Sequence, residues 1–438
     1  MTVSEKSAKG IAQAVSAAVR AGTLSPGEKL PPIRTAARDL GVAAPTVSAA
    51  WALLSRAGII HTDGRRGTVV RAGFSGPRRY RRALDSGLRP HLDLSLGLPD
   101  PALLPDLRAS MRRIDVAPTP NSYLDHPVLP GLFDLLCEQW PFAAEQITVV
   151  DGAMDALSQI AVTHLRFGDV VAIEQPTFPP LLDLLESMGA VPVGVRYDAE
   201  GPVPADIDAA VRQGATAFVY QPRGQNPTGL SMSPGRCAQL GAVLAGTSVT
   251  VIEDDSAGAS IAGPSPSLGR LMPTQTIHVR SFSKSHGPDL RLAAVGGPAA
   301  LIDPMIERRY LGQGWSSRLV QAILLDLLTH QSSLAQVAKA QQVYRERTAR
   351  LADALSQRDV QVPGRDGLNV WIPVADEADA LLNLAGHGIR AAAGSPFFIA
   401  ADSDPHIRIT TAAIHDEFDA LADAIASAAH TRAWGGPG

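Results

Sequence analysis

Lys284 stands between two serines in the segment SFSK at 281–284, with Arg291 a short way downstream. Earlier in the chain, IEDD at 252–255 offers Asp254, and NPTG at 226–229 offers Asn226. These residues amount to an amine, a carboxylate, an amide and a hydroxyl cluster with a guanidinium. Pyridoxal phosphate asks for that set. Its aldehyde needs a lysine amine, its ring nitrogen a carboxylate that keeps the pyridinium protonated, its phenolic oxygen a donor, and its phosphate hydroxyls, amides and an arginine. Lys284 then takes the aldehyde, Asp254 the ring nitrogen and Asn226 the phenolic oxygen, while Ser281, Ser283 and Arg291 clamp the phosphate. Gly152 and Ala153, where a strand passes into a helix, add amides of a helix N-terminus to the same phosphate, and Phe178 can stack on the ring. Singly, each has a plainer reading: Lys284 a solvated loop cation, Asp254 a loop acid, Asn226 the start of a turn, Phe178 core, Arg291 a mate for Asp289. The case for one site is that all of them fall at the ends of successive strands.

Those strands are legible from His91 onward as apolar runs alternating with helical stretches. QITVV precedes a helix at 153–165, DVVAIEQP one at 179–188 and ATAFVYQP one at 234–245; SVTVIEDD and TIHVRSFS follow. The alternation predicts an α/β domain with a largely parallel sheet, and such sheets bind ligands beyond the carboxyl ends of their strands. Farther on, QQVYRERTARLADALSQ is a charged helix, and 414–429 a last helix with Phe418, Leu421 and Ile425 facing inward. His126, His278, His286, His387, His406 and His415 have no metal-ligand spacing, so no metal is expected.

The first eighty residues follow a different pattern. Ile11, Val15 and Val19 mark an amphipathic helix over 8–21; a second helix spans Ile33 to Leu40 and stops at Gly41, and a third runs from Pro45 to Ala57 on Val47, Leu53 and Leu54. Two helices joined through GVAAPT have the length and the turn glycine of a helix-turn-helix. IIHTDGRRGTVVR then alternates as a hairpin with Arg65 and Arg66 at its tip. A third helix in the major groove would bring Thr46 and Ser48 to bases or phosphates, with Arg34, Arg65 and Arg66 on the backbone. The arginine-rich stretch 71–91 has no apolar period and is an exposed linker.

Composition bounds the rest. With 438 residues, 45% hydrophobic and 19% charged, the chain supports a large domain and a small one rather than one ordinary core. A net charge of -4 excludes general polyanion binding over the whole surface and leaves room for a local basic patch. Cys137 and Cys237 are too few for a disulfide framework and fit reduced thiols in a cytoplasmic protein. With no secretion signal and no run of 18 apolar residues, no membrane partner is expected.

GTLSPGEKLPPIRTAARDLGV, TVSAAWALLSRAGII and GRRGTVV make residues 10–71 resemble the winged helix-turn-helix domain of the GntR family. NPTG, IEDD and SFSK with the downstream arginine make residues 91–430 resemble the fold type I aminotransferases. The combination looks like the MocR subfamily of bacterial transcriptional regulators. The resemblance implies a winged helix-turn-helix at 1–71, a basic linker at 72–91, a large pyridoxal phosphate-binding domain at 92–330, a small C-terminal α/β subdomain at 331–430 and a tail at 431–438. It also implies that Lys284 forms the internal aldimine, that Asp254 contacts the pyridine nitrogen and that Arg408 in HIRITTA binds the α-carboxylate of an amino acid. Tyr123 in NSYLDHP would reach the cofactor phosphate of the neighbouring subunit. The implied partners are operator DNA, a small amine or amino-acid effector that forms an external aldimine in place of Lys284, and a second copy in a homodimer. In that subfamily the dimer is commonly head-to-tail, each DNA-binding domain lying against the other protomer.

An alternative is an amino-acid aminotransferase that keeps its head as a packing module; another is a DNA-binding dimer with a degenerate pocket. Three departures from the family bear on the choice. Ala44 and Pro45 stand where a serine and an arginine are usual, Leu124 replaces a customary glycine, and Ser256 replaces a tyrosine expected near the phenolic oxygen. The last makes cofactor binding expected and a full transamination cycle less so.

Overall fold

The computed structural model describes residues 6–20, 23–25, 27–56, 59–63, 67–70, 79, 90–114, 122–399 and 404–431. Arg65 and Arg66 of the hairpin tip, most of the linker 72–91 and all but the first residue of the tail 431–438 lie outside them.

The head is built from α1 (Ala8–Arg20), α2 (Ile33–Leu40) and α3 (Ala44–Arg56), followed by the hairpin of β1 (Ile60–Asp63) and β2 (Gly67–Val70). Gly41 ends α2 in the left-handed region at φ 64, which a residue without Cβ adopts at no steric cost. Its successor Val42 donates to Ala37 O at 3.0 Å, closing the helix end and setting the turn into α3. Ile11, Val15, Val47, Leu54, Ile60 and Val70 are buried together, so the helices and the hairpin share one small core. The segment before α2 completes the wing: Leu30 donates to Thr68 O and Val70 to Glu28 O, each at 2.8 Å.

The body carries an eight-stranded sheet whose strands are β4 (Gln146–Val150), β5 (Val170–Gln175), β6 (Val191–Asp198), β7 (Gly201–Pro202), β8 (Ala215–Tyr220), β9 (Thr250–Asp255), β10 (Thr276–Ser281) and β11 (Ala293–Gly297). They lie in the order β4-β11-β10-β9-β8-β5-β6-β7. β10, β9, β8, β5 and β6 run parallel, and β11 is antiparallel to both its neighbours. The β-branched runs that form these strands are buried on both faces beneath flanking helices. Helices occupy Ala153–His164, Pro179–Ser187 and Pro234–Leu244, within a residue of the spans read from periodicity.

A three-stranded sheet of β12 (Asn369–Pro373), β14 (Ala392–Ala393) and β15 (His406–Thr410) forms the small subdomain, in the order β12-β15-β14. Leu92–Asp93, which is β3, pairs in parallel with β13 (Ile389–Arg390), so the start of the body threads into the small subdomain. The charged helix extends farther upstream than its sequence pattern indicates, spanning Gln331–Ser356. The last helix begins at Phe418, not 414, because Glu417 adopts φ 52 and interrupts helical geometry ahead of it. Phe418, Leu421 and Ile425 face the core, as their spacing requires.

The head rests on the large domain of its own chain. Lys9 Nζ reaches Asp169 Oδ1 at 3.0 Å, and Gln13 Nε2 donates to Phe167 O at 3.2 Å. The Phe167 side chain packs against the head's core from the turn that leads into β5. Arg79 is joined to Glu186 at 2.6 and 2.7 Å, tying the linker to the helix after β5.

Candidate cofactor and effector site

β9 delivers Asp254 to the carboxyl edge of the sheet, 1% exposed. Its Oδ2 accepts from Gln221 Nε2 at 2.9 Å and its Oδ1 from Ser256 Oγ at 2.5 Å. Burial pushes the Asp254 carboxyl above its ordinary value, the two hydrogen bonds oppose that, and neighbouring Asp255 adds to it. Gln221 also fixes the next strand end, because its Oε1 accepts from the Asn226 backbone N–H at 2.7 Å. Glu174 Oε2, at the end of β5, in turn accepts from Gln221 N–H at 2.8 Å. Three adjacent strands therefore lock Asp254 and Asn226 in one frame.

Lys284 follows the end of β10, half-buried, and its amine donates to Gly97 O. Burial, reinforced by the charge of Arg408 and opposed by Asp254, lowers its pKa to about 8. Arg408, 2% exposed on β15, donates from Nη1 to Asn226 Oδ1 at 3.0 Å and from Nη2 to Ser95 O. Its guanidinium lies 5.2 Å from the centre of the Phe397 ring. Aspartate, asparagine and arginine are thus linked through Gln221, and Lys284, from a fourth distant stretch of chain, lies within electrostatic reach of Arg408 and Asp254.

The phosphate-side residues converge as well. Gly152 precedes the helix Ala153–His164 with φ 103, and a Cβ built there would come within 3.2 Å of Arg291 Nη2. Arg291 itself takes φ 50, turning its guanidinium towards the helix N-terminus, where unpaired amides favour an anion. Ser281 ends β10, and its Oγ accepts from Ser283 N–H at 3.3 Å. Phe178 is half-buried at the start of the helix that follows β5. Tyr123 is 85% exposed and stacks on Trp315 at 5.7 Å, outside the cluster of its own chain. Ser256 directs its hydroxyl to Asp254, so in this structure it supports the carboxylate.

The donor set fits pyridoxal phosphate. A buried carboxyl pushed upward is short of a cation that a pyridinium would provide, and the glycine cradle beside a guanidinium and a helix N-terminus has the chemistry of a phosphate cup. Sequence reasoning missed Gln221, Glu174, Ser95 and Gly97. Gln221 was visible in FVYQP at a strand end; the backbone oxygens of Ser95 and Gly97 carry no side-chain signal.

In the head, Arg34 and Ser48 are exposed and Thr46 is half-buried, with Thr46 and Ser48 on the first turns of α3 and Arg34 at the start of α2.

Two family models cover the chain. "Bacterial regulatory proteins, gntR family" matches residues 7–70, and "Aminotransferase class I and II" matches residues 89–425. The "Vitamin B6 salvage pathway transcriptional repressor PtsJ" of Salmonella typhimurium is 35% identical over 95% of this chain and 97% of its own. The chain is a MocR-type regulator of the gntR family. Another relative of this regulator is the "HTH-type pyridoxine biosynthesis transcriptional regulator PdxR" of Corynebacterium glutamicum, 26% identical over 88% of the present chain and 87% of the relative. Both are named as regulators and neither as an enzyme, in keeping with the reading of the chain as a DNA-binding regulator whose aminotransferase-like body serves sensing. Among solved structures, the α-aminoadipate aminotransferase LysN from Thermus thermophilus superposes with a TM-score of 0.70 at 20% identity, covering 81% of the regulator and 95% of LysN. Thermus thermophilus aspartate aminotransferase gives 0.67 at 22%, covering 82% and 100%. At that identity the likeness concerns the fold, and it bears out the aminotransferase-like α/β body read from the sequence.

Proposed function

We propose that this regulator holds pyridoxal phosphate at Lys284, reads an amine or amino acid there, and converts the result into a change in operator binding by its head. The observation that supports this most is the cluster of a half-buried amine with a lowered pKa, a buried carboxylate behind it and a guanidinium beside it. When bound, the cofactor supplies an aldehyde able to condense with primary amines.

The chain's own residues do the rest. With a pKa of about 8, Lys284 is neutral and nucleophilic in roughly a tenth of molecules at pH 7, and the Gly97 carbonyl orients its amine. Asp254 would hold the proton on the ring nitrogen, its two oxygens already aimed by Gln221 and Ser256. Ser281, Ser283, Arg291 and the amides of Gly152 and Ala153 would take the phosphate, and Phe178 a ring face. Arg408 offers a bidentate fork to a carboxylate; an effector carboxylate that takes this fork competes with Asn226 and Ser95 for it. β5 supplies a physical link to the head, since it leads from Asp169, paired with Lys9, to the segment of Phe178. An effector moves the head only as far as its affinities for the two arrangements differ.

The test has two parts. The absorbance of the purified protein should show a bound chromophore that borohydride fixes on Lys284, and a gel shift with upstream intergenic DNA should respond to candidate amines. A colourless protein unchanged by added cofactor would remove the sensing half of the proposal.

The 35% identical relative favours a second reading, because its name concerns vitamin B6 salvage. Occupancy by pyridoxal phosphate would then itself be the signal, and DNA affinity would differ between cofactor-free and cofactor-loaded protein with no amine added.

A further inference from the structure

Beyond the cofactor cluster, a cleft of about 280 Å³ opens beside β10 and is lined by Arg223, Arg270, Arg280, Trp140 and Gln341. It shares only Ser281 with the residues assigned to the cofactor. Its charges do not balance. The Asp255 carboxylate is gripped by Arg223 at 3.0 and 2.9 Å and also accepts from Gly258 N–H at 3.1 Å. Glu253, on the same strand, is enclosed by Tyr220, Ser267, Leu268 and His278 at 2.6–2.8 Å. No described carboxylate lies within 4.0 Å of Arg270 or Arg280. Asp255 attracts Arg280 only from beyond that distance, and Arg223 repels it. Arg280 is half-buried; it donates from Nη2 to Gln139 O at 2.5 Å and lies over the Trp140 ring at 4.8 Å. Arg270, at the exposed rim, donates from Nε to Pro141 O at 2.9 Å. Both guanidiniums are thus held in place through one nitrogen to a neutral carbonyl, with their remaining donors uncommitted to any carboxylate.

A cation removed from water needs a counter-ion, and a fixed guanidinium fork suits the oxygens of a phosphate. We propose that this cleft is a second oxyanion site of the regulator, separate from the cofactor's phosphate cup, and that it takes the phosphate group of a small molecule, as free phosphate or as a phosphate monoester. Its volume excludes a duplex and suits a small ligand. The position also gives such a ligand a route to the cofactor cluster. Arg280 immediately precedes Ser281 and stands in register with Asp255, whose chain neighbour is Asp254. An anion that draws Arg280 therefore acts on the strand pair carrying both ends of the cofactor site.

Calorimetric titration of the full-length protein with inorganic phosphate, and separately with glycerol 3-phosphate, tests the proposal. Wild type should bind at least one of the two, Arg280→Gln should weaken that binding tenfold or more, and Arg270→Gln several-fold. Arg291→Gln, in the cofactor cup, should leave the cleft's binding in place. Binding of the ester alone identifies an ester as the natural source; binding of both identifies the bare phosphate group. Arg270 is exposed, so its variant reports on the cleft even where Arg280→Gln does not fold. Binding abolished by Arg291→Gln but untouched by Arg280→Gln and Arg270→Gln overturns the proposal, and so does the absence of binding in wild type. Loss of operator affinity in Arg270→Gln with no phosphate binding in wild type would reassign the charge to DNA and overturn it equally.

Discussion

At the scale of single residues, the chemistry depends on how Lys284 and Asp254 are charged. The Lys284 pKa of about 8 lies below the ordinary lysine value because burial disfavours the ammonium. The rate at which cofactor-free protein captures pyridoxal phosphate should therefore rise with pH through a midpoint near 8 and fall about tenfold per unit below it, read from stopped-flow absorbance. The linkage has the matching sign: in the cofactor-free protein the burial cost is fully present below pH 8 and vanishes as pH climbs towards the unfolded value, so stability rises over that window. Gln221 makes a second prediction. Gln221→Met keeps the volume but leaves Asp254 Oδ2 and the Asn226 backbone amide each without a partner, Asp254 Oδ1 keeping Ser256, which should cost about 1–3 kcal/mol in denaturant unfolding. The same variant should loosen cofactor binding, while a merely structural role would spare it. The sequence offered Lys284, Asp254, Asn226 and Arg291 as candidates through residue type and strand-end position. It could not disclose Gln221, because an amide that spans two strand ends looks like any other glutamine until the strands are side by side.

At the scale of elements, glycines set two junctions that matter. Gly41 turns α2 into α3 at φ 64, and Gly41→Ala should destabilise the head by about 1–2 kcal/mol and weaken operator binding with the cofactor spectrum unchanged. Gly152, at φ 103 and close against Arg291, should tolerate alanine less well still, with the loss appearing as weaker cofactor affinity. Strand and helix spans were legible because long runs of β-branched residues and strict apolar spacing leave few alternatives. The start of the last helix was not: Phe418 is preceded by Glu417 in the left-handed region, a backbone choice that a helical pattern over 414–429 does not reveal.

At the scale of the whole molecule, the head and body touch through a small contact. Lys9 and Asp169 are partly exposed, so their ion pair contributes at most about 1 kcal/mol, and the half-buried Phe167 side chain adds apolar contact against the head's core. Phe167→Ala should therefore free the head, seen as faster proteolysis between head and body and a larger radius in solution scattering. Cofactor binding should be unaffected, and the response of DNA binding to effector should weaken. Retention of the full response would mean that coupling runs elsewhere, for example through a second protomer.

Read alone, the amino-acid order determined that this protein has a small head of helices and a hairpin on an α/β body, because periodicity and turn chemistry are local properties. It also determined which residue types were available for holding an aldehyde cofactor. Only the tertiary structure decided that Lys284 meets the Gly97 carbonyl, that Arg408 meets Asn226 and the Ser95 carbonyl, that the head packs against Phe167, and that Arg280 has no carboxylate within ion-pair reach among the described residues. Each of those is a relation between segments far apart along the chain, fixed by how the sheet is ordered and closed, and no local pattern encodes it.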